Sequence, residues 1–290
     1  MASTVAIVGA GRVGRALGRR LRGLGWNIGA VVSRSAATSR AAVRQIGGGV
    51  AHGALTRQVL GADVVLITAP DDAIERVATE LARIGGIEWR GKIVLHTSGA
   101  MDRGALAPLT LAGASTGSLH PLQTFSGREA PDLEGVLCAI EGDRRSVRFA
   151  RKMARSLGCV PLMIEGRHKP AYHAAGALVA GHALGLLEAA TQVLMKIGFT
   201  RRHAVRALLP LMRQMLTNFE RLGPRAAWTG PLSRGDFATI ARHREALRSF
   251  PREYGDAYES VALLVSRVLA PNPAAMRGKI ERAWKDPGGG

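Results

Sequence analysis

Val5-Ala6-Ile7-Val8-Gly9-Ala10-Gly11-Arg12-Val13-Gly14 runs four apolar β-formers straight into a G-x-G-x-x-G turn. The pattern reads as strand, tight turn, helix. Gly9 permits the turn, Gly11 lets a backbone approach a pyrophosphate, and Gly14 lets the helix pack close to the strand. Val13, Leu17 and Leu21 then give a helix from Arg12 to about Leu24 a single apolar face. A glycine-rich chain produces such spacings by chance, but the strand before it and the helix after it supply the context a dinucleotide site requires. Gly9, Gly11, Arg12, Val13 and Gly14 are the expected cofactor-binding residues.

The next apolar run, Ile28 to Val32, ends in Ser33-Arg34-Ser35 and not in an acidic residue. A carboxylate at that point would suit the ribose hydroxyls of NAD, whereas a 2'-phosphate calls for hydroxyl and guanidinium donors. Ser33, Arg34 and Ser35 therefore predict NADP.

The remaining strands are read at 49–51, 64–68, 93–96, 114–119, 136–140 and 160–164, after Thr4–Val8 and Ile28–Val32. Strands alternating with helical patterns imply right-handed crossovers and a mostly parallel sheet, a Rossmann dinucleotide-binding domain over residues 1–166. From 167 to 290 the pattern is all helical, with one long apolar helix from Pro170 to about Ile197 and further helices near 201–222, 234–249 and 251–269. The fold class is thus α/β, a Rossmann domain followed by an all-α substrate and dimerisation domain. The tail from Asp286 to Gly290 is expected to fray.

At 290 residues the chain is long enough for two domains. Its net charge of +18 invites nucleic acid as a partner. Arginines are spread through every segment, however, and aromatics make up only 4%, too few for an evident stacking surface. No specific nucleic-acid binding is expected. The longest apolar stretch, Ala174 to Val193, is interrupted by Gly176, Gly181, His182, Gly185, Glu188 and Gln192, so no membrane span is expected and the location is read as cytoplasmic. Cys138 and Cys159 match no metal spacing and are read as core thiols; no metal is expected.

Candidate chemistry gathers where strands end. Thr68-Ala69-Pro70-Asp71-Asp72 follows the fourth strand: Asp71 and Asp72 are expected to cap a helix, and the backbone at Ala69 and Pro70 to line the nicotinamide ribose. His96-Thr97-Ser98-Gly99-Ala100 ends the fifth strand. His120, held extended by Pro121, ends the sixth and is expected to touch substrate. Lys169 and His173 stand four apart at the start of the long helix, on one face. A lysine at a helix N-terminus opposes the helix dipole, which would lower its pKa and suit a proton donor. In Thr229-Gly230-Pro231-Leu232-Ser233-Arg234-Gly235-Asp236, Asp236 is expected to cap a helix and Arg234 to bind a substrate carboxylate or phosphate.

These residues resemble the 6-phosphogluconate dehydrogenase-like superfamily, in which a Rossmann domain is joined through a long helix to a helical dimerisation domain. The resemblance implies a homodimer and a substrate site between the two domains. Ser98-Gly99 looks like the substrate loop of its β-hydroxyacid dehydrogenases, which implies that Ser98 binds substrate. Lys169 matches the lysine of their K-x-x-x-N motif, but His173 stands where they have asparagine, which argues against an ordinary 3-hydroxy acid. G-S-L-H-P-L at 117–122 is similar to the histidine-proline motif of prephenate and arogenate dehydrogenases. The set H-T-S-G-A, G-S-L-H-P-L-Q-T-F, K-x-x-Y-H-A-A and T-G-P-L-S-R-G-D resembles bacterial Rossmann-like proteins with a C-terminal domain of unknown function, provisionally labelled NADP oxidoreductases. The resulting expectation is hydride transfer between NADP(H) and a small anionic carbonyl, imine or hydroxy compound, with Lys169, His120 and His173 catalytic and Ser98 and Arg234 binding substrate. A pyrroline- or imine-type reductase, a deazaflavin-dependent NADP reductase and a non-enzymatic NADP sensor or scaffold are the alternatives.

Overall fold

A computed structural model describes residues 3–127 and 130–285. The chain divides into two compact units, Met1–His182 and Ala183–Gly290. The break between the two units falls inside the long helix. The helix that begins at Lys169 is fastened to the rest of the first unit by the Lys169 side chain, which hydrogen-bonds Ser98 and Ser118.

The first unit is built on an eight-stranded sheet: β1 Thr4–Val8, β2 Asn27–Val32, β3 Val50–His52, β4 Val64–Ile67, β5 Ile93–His96, β6 Ser115–Pro121, β7 Leu137–Gly142 and β8 Val160–Met163. Their order is β3-β2-β1-β4-β5-β6-β7-β8. Strands β1 to β6 run parallel, while β7 pairs antiparallel with β6 and parallel with β8. The connection from Pro121 to Leu137 contains no described helix, so β7 returns beside β6 without the crossover a parallel neighbour needs.

Alternation along the strands divides the core. Val5 and Ile7 point to the face covered by α1 (Arg12–Gly23), α2 (Ala36–Ile46) and the 144–156 helix, where they meet Leu17, Ile46 and Met153. Ala6 and Val8 point to the other face, against Ile74, Ala78 and Leu81 of α3 (Asp71–Gly85) and Leu106 and Leu109 around α4 (Ala107–Leu111). The 144–156 helix, α5 (Arg144–Ser156), starts with Asp143 accepting hydrogen bonds from the Arg145 and Ser146 N–H groups. Cys138 and Cys159 are free and buried, as core thiols.

Helix α6 (Lys169–Ala177) passes through a π-helical turn, Leu178–His182, into α7 (Ala183–Lys196). The continuous helix Gly166–Lys196 reaches a mean hydropathy of 1.4 over an 18-residue window of which only 6% is buried. By length and composition alone it is long and apolar enough to cross a membrane; its glycines and single acidic residue interrupt the apolar run without lowering its mean. The second unit continues with α8 (Arg201–Leu222), α9 (Pro224–Ala227), α10 (Pro231–Arg234), α11 (Phe237–Leu247), α12 (Arg252–Leu269) and α13 (Pro273–Lys285). Leu232, Ile240, Ala262 and Ile280 form a small core. Leu184, Leu211, Leu216, Phe219 and Leu222 are more than half exposed. Residues 286–290, the expected frayed tail, lie outside the described residues.

The glycines of α1 differ sharply in what surrounds them. A Cβ on Gly14 would lie 2.3 Å from the Gly9 carbonyl oxygen and 2.5 Å from Thr68 Oγ1, whereas one on exposed Gly23 would meet nothing within 4 Å. Gly14→Ala should therefore destabilise the protein by roughly 1–3 kcal/mol in urea unfolding. Gly23→Ala should be neutral or stabilising by up to roughly 1 kcal/mol; equal effects at both positions would contradict the close packing of α1 on β1.

Candidate active site

Strand order reverses beside β1, since β2 lies on one side of it and β4 on the other. Ligands of such sheets bind outside the strand C-termini at this crevice. Gly9 stands there with φ +109°, and its missing Cβ would fall 2.6 Å from the Ala69 nitrogen. Gly11, the residue before α1, makes no side-chain cap, and a Cβ on it would meet nothing within 4 Å. The first turn of α1 has no acidic residue either. The uncapped N–H groups and open approach at Gly11 make an anion cradle, so the residues fit a dinucleotide pyrophosphate. Arg12 is exposed at the head of the helix and Val13 packs inward, so only Arg12 has a side chain free to face a ligand. Ala69 is half-buried and Pro70 exposed at the end of β4.

At the end of β2 the two serines are committed locally. Ser33 Oγ donates to the Ser35 carbonyl at 2.8 Å, and Ser35 Oγ donates to Thr38 Oγ1 at 2.8 Å while accepting from the Thr38 N–H at the start of α2. Their hydroxyl protons are thus used within the turn. Arg34 is exposed and makes no hydrogen bond or ion pair to the described residues, which leaves its guanidinium as the donor free for a phosphate.

Parallel register carries this edge across to the other candidates: Val8 aligns with Ile67, Ile67 with His96, and His96 with Ser118. His96 is buried between two hydrogen bonds, accepting from the Ser98 N–H at Nδ1 (3.2 Å) and donating from Nε2 to the Asp102 carbonyl (3.0 Å). Burial, helped by the nearby Lys169 charge, lowers its pKa to about 4. Ser98 is also buried: its Oγ donates to Asp71 Oδ2 at 2.8 Å and accepts from the Ala100 and Met101 N–H groups. That hydroxyl shapes its own loop and has no proton left for a substrate. Asp71 and Asp72 lie in the first turn of α3, where their charges suit the helix dipole, and Asp71 in addition anchors the Ser98 loop.

Lys169 is fully buried, and Nζ donates to the Ser98 carbonyl at 2.9 Å and to Ser118 Oγ at 2.8 Å. Its pKa falls to about 8, with burial outweighing the attraction of Glu141, Asp102 and Asp71. The cause is desolvation, in place of the helix dipole expected from sequence. Glu141, half-buried opposite Ser118 on β7, is raised above the usual carboxylate range by burial and accepts from the Arg103 N–H.

His120 is half-buried, and its Nδ1 lies 3.0 Å from the Tyr172 hydroxyl. Its ring meets Tyr172 edge-on at 5.5 Å and His173 edge-on at 5.7 Å. Burial first, then the Lys169 and His173 charges, bring its pKa to about 4. Both histidines rest on Gly99, where a Cβ would lie 2.8 Å from His120 Nε2 and 2.7 Å from His173 Cδ2. The fold thus brings Ser98, Gly99, His120, Lys169 and His173 together. Tyr172, which the sequence reading passed over, joins them; its place one helical turn after Lys169 was the available signal. Arg234 belongs to the second unit, exposed at the end of α10, and Asp236 caps α11 through the Thr239 N–H.

Residues 2–121 match the model of a Rossmann-like domain, and residues 136–264 match a domain of unknown function, DUF2520. The chain therefore joins a Rossmann-like domain to a DUF2520 domain. No curated protein matches the sequence significantly. Among solved structures, it is similar to a Bacteroides fragilis protein described provisionally as an NADP oxidoreductase, with TM-score 0.74, 20% identity and coverage of 91% of this chain and 98% of that one. It is also similar to a reductive aminase from Aspergillus terreus in complex with NADPH and ethyl-5-oxohexanoate (TM-score 0.65, 18% identity, 99% and 95% covered). A third is an imine reductase from Streptomyces aurantiacus (TM-score 0.62, 15% identity, 95% and 98% covered). At these identities the likeness establishes the fold.

The depressed histidines make stability pH-dependent. Unfolded His96 takes up a proton near its ordinary 6.5 and folded His96 only near 4, so the unfolded state binds the extra proton between those values. Stability contributed by the neutral ring is present above pH 6.5 and is lost as pH falls toward 4, by roughly 2–3 kcal/mol at pH 4.5. His96→Gln, which cannot be protonated there, should lose correspondingly less between pH 7 and 4.5 in urea unfolding. An unchanged pH slope would contradict the buried neutral ring.

Proposed function

We propose that this protein is an NADP(H)-dependent oxidoreductase acting on a small carbonyl or imine, or in reverse on the corresponding hydroxy compound or amine. One observation carries the reading. At the C-terminal edge of a dinucleotide-type sheet, a neutral histidine, His120, presents Nε2 with no described protein partner, beside a buried lysine. NADPH, held by the Gly9–Gly14 turn and Arg34, would supply the hydride. The chain's own task is to orient the acceptor and manage its proton, which polar groups around Gly99 can do. Lys169 is too deeply buried to touch substrate in this arrangement. We assign it the role of holding the Ser98 loop and β6 together and lowering the proton affinity of His120. His173, exposed beside His120, orients the substrate, and Arg234 remains the proposed anchor for an anionic substrate. The reductive aminase and imine reductase similarities support imines as a substrate class. A purely cofactor-sensing module predicts an apolar surround at Lys169 and His120, and the surround is polar.

One interaction outside the chain follows. The exposed leucines of α7 and α8 support a homodimer built through the helical segment, and we place the protein in the cytoplasm. Light scattering of the detergent-free protein should give twice the 30.7 kDa of one chain. A monomer, or recovery only in detergent, would contradict this reading of the apolar helix.

The activity is tested by following NADPH oxidation on a panel of cyclic imines and 2-oxo acids, together with titration of NADPH and NADH. Turnover of at least one class is expected, with NADPH bound more tightly than NADH. Arg34→Ala should weaken NADPH by roughly 10–100-fold, the worth of a charge-assisted phosphate contact, and leave NADH unchanged. Equal affinity for both cofactors in the parent protein would overturn the assignment of NADP.

A further inference from the structure

The hydroxyl of Tyr172 has one proton and two sites that can take it, the His120 carbonyl and, when unprotonated, His120 Nδ1. His120 Nδ1 lies 3.0 Å away and the His120 carbonyl 3.4 Å. The nearer site is the ring nitrogen. Burial pushes the Tyr172 pKa up to about 12, and the phenol keeps its proton at neutral pH. His120, with its pKa near 4, is a neutral imidazole with a single N–H. If Nδ1 accepts, Nε2 carries that hydrogen, and Nε2 is the nitrogen lying against Gly99.

We propose that Tyr172 fixes His120 as its Nε2–H tautomer and serves as the second link of a proton relay, with His120 as the catalytic donor and Tyr172 as its positioning residue. The relay rests on the oxidoreductase reading; the tautomer does not. As the substrate heteroatom gains an electron pair, the Nε2–H bond breaks and an O–H or N–H bond forms on substrate. The Tyr172 O–H bond breaks in step, and an N–H bond forms at Nδ1. The tyrosinate then recovers this proton from Nδ1 as Nε2 takes one from water, so water is the net proton source. The acceptor this relay serves is a carbonyl or neutral imine, whose heteroatom becomes strongly basic on reduction. A substrate already carrying its proton has no need of it.

The first test needs no substrate. In protein labelled with 15N-histidine, the ring resonances of His120, assigned by loss in His120→Gln, should at pH 7 show a protonated Nε2 and an unprotonated Nδ1. In Tyr172→Phe, with its fold checked by circular dichroism, the two tautomers should mix. A protonated Nδ1 in the parent protein, or an unchanged tautomer in Tyr172→Phe, overturns the proposal. The second test uses NADPH oxidation by 1-pyrroline or a 2-oxo acid: Tyr172→Phe should lower kcat by roughly 100-fold, the lower end of acid-base contributions, with NADPH affinity unchanged. Full kcat in Tyr172→Phe overturns the relay. A parent protein inactive on the whole panel, with the tautomer as expected, instead sinks the oxidoreductase reading and leaves the Tyr172–His120 assignment standing.

Discussion

A lysine side chain removed from water, with no carboxylate in contact, organises the candidate site. Lys169 gives two of its protons to the Ser98 carbonyl and the Ser118 hydroxyl, and thereby ties helix α6 to the loop after β5 and to β6. Burying a charge without a direct counterion is costly, and the cost shows as a Lys169 pKa lowered to about 8, which still leaves the ammonium charged at pH 7. The same charge acts on its neighbours, where it adds to burial in keeping His96 and His120 neutral. Removing it would loosen the loop that presents Gly99 and raise the proton affinity of both rings.

The cofactor side of the edge is governed by space more than by charge. The space beside Gly9 is taken by neighbouring backbone and that beside Gly14 by the Gly9 carbonyl and the Thr68 side chain, so β1, its turn and α1 close on one another, while Gly11 faces open space at the uncapped end of the helix. The parallel register from β1 through β4 to β5 and β6 then carries this cradle and the histidine cluster along one edge of one sheet.

Much of this was legible in the sequence, for physical reasons. Strand and helix periodicities and the glycine spacing are local signals, and β1, β5, α1 and the 201–222 helix stand where the pattern puts them. His120 and Lys169 were readable from a proline and from a helix start. What escaped depends on partners distant in sequence. The committed hydroxyl of Ser98 needs Asp71, the role of Tyr172 needs His120, and the depth of Lys169 needs Ser98 and Ser118. The attachment of α6 to the first unit through Lys169 is likewise one that no periodicity reveals. The antiparallel turn of β7 was hidden too, since a strand's direction is not written in its alternation.

The titration of Lys169 itself is the most direct check on this account. The chain has only six lysines, Lys92, Lys152, Lys169, Lys196, Lys279 and Lys285, so 15N-lysine labelling gives few signals, and Lys169→Arg identifies the one that matters. Its Nζ resonance should titrate near pH 8. A midpoint at the ordinary value of about 10.5 would mean that Lys169 is solvated, and the arrangement of α6, the Ser98 loop and His120 derived from its burial would be contradicted.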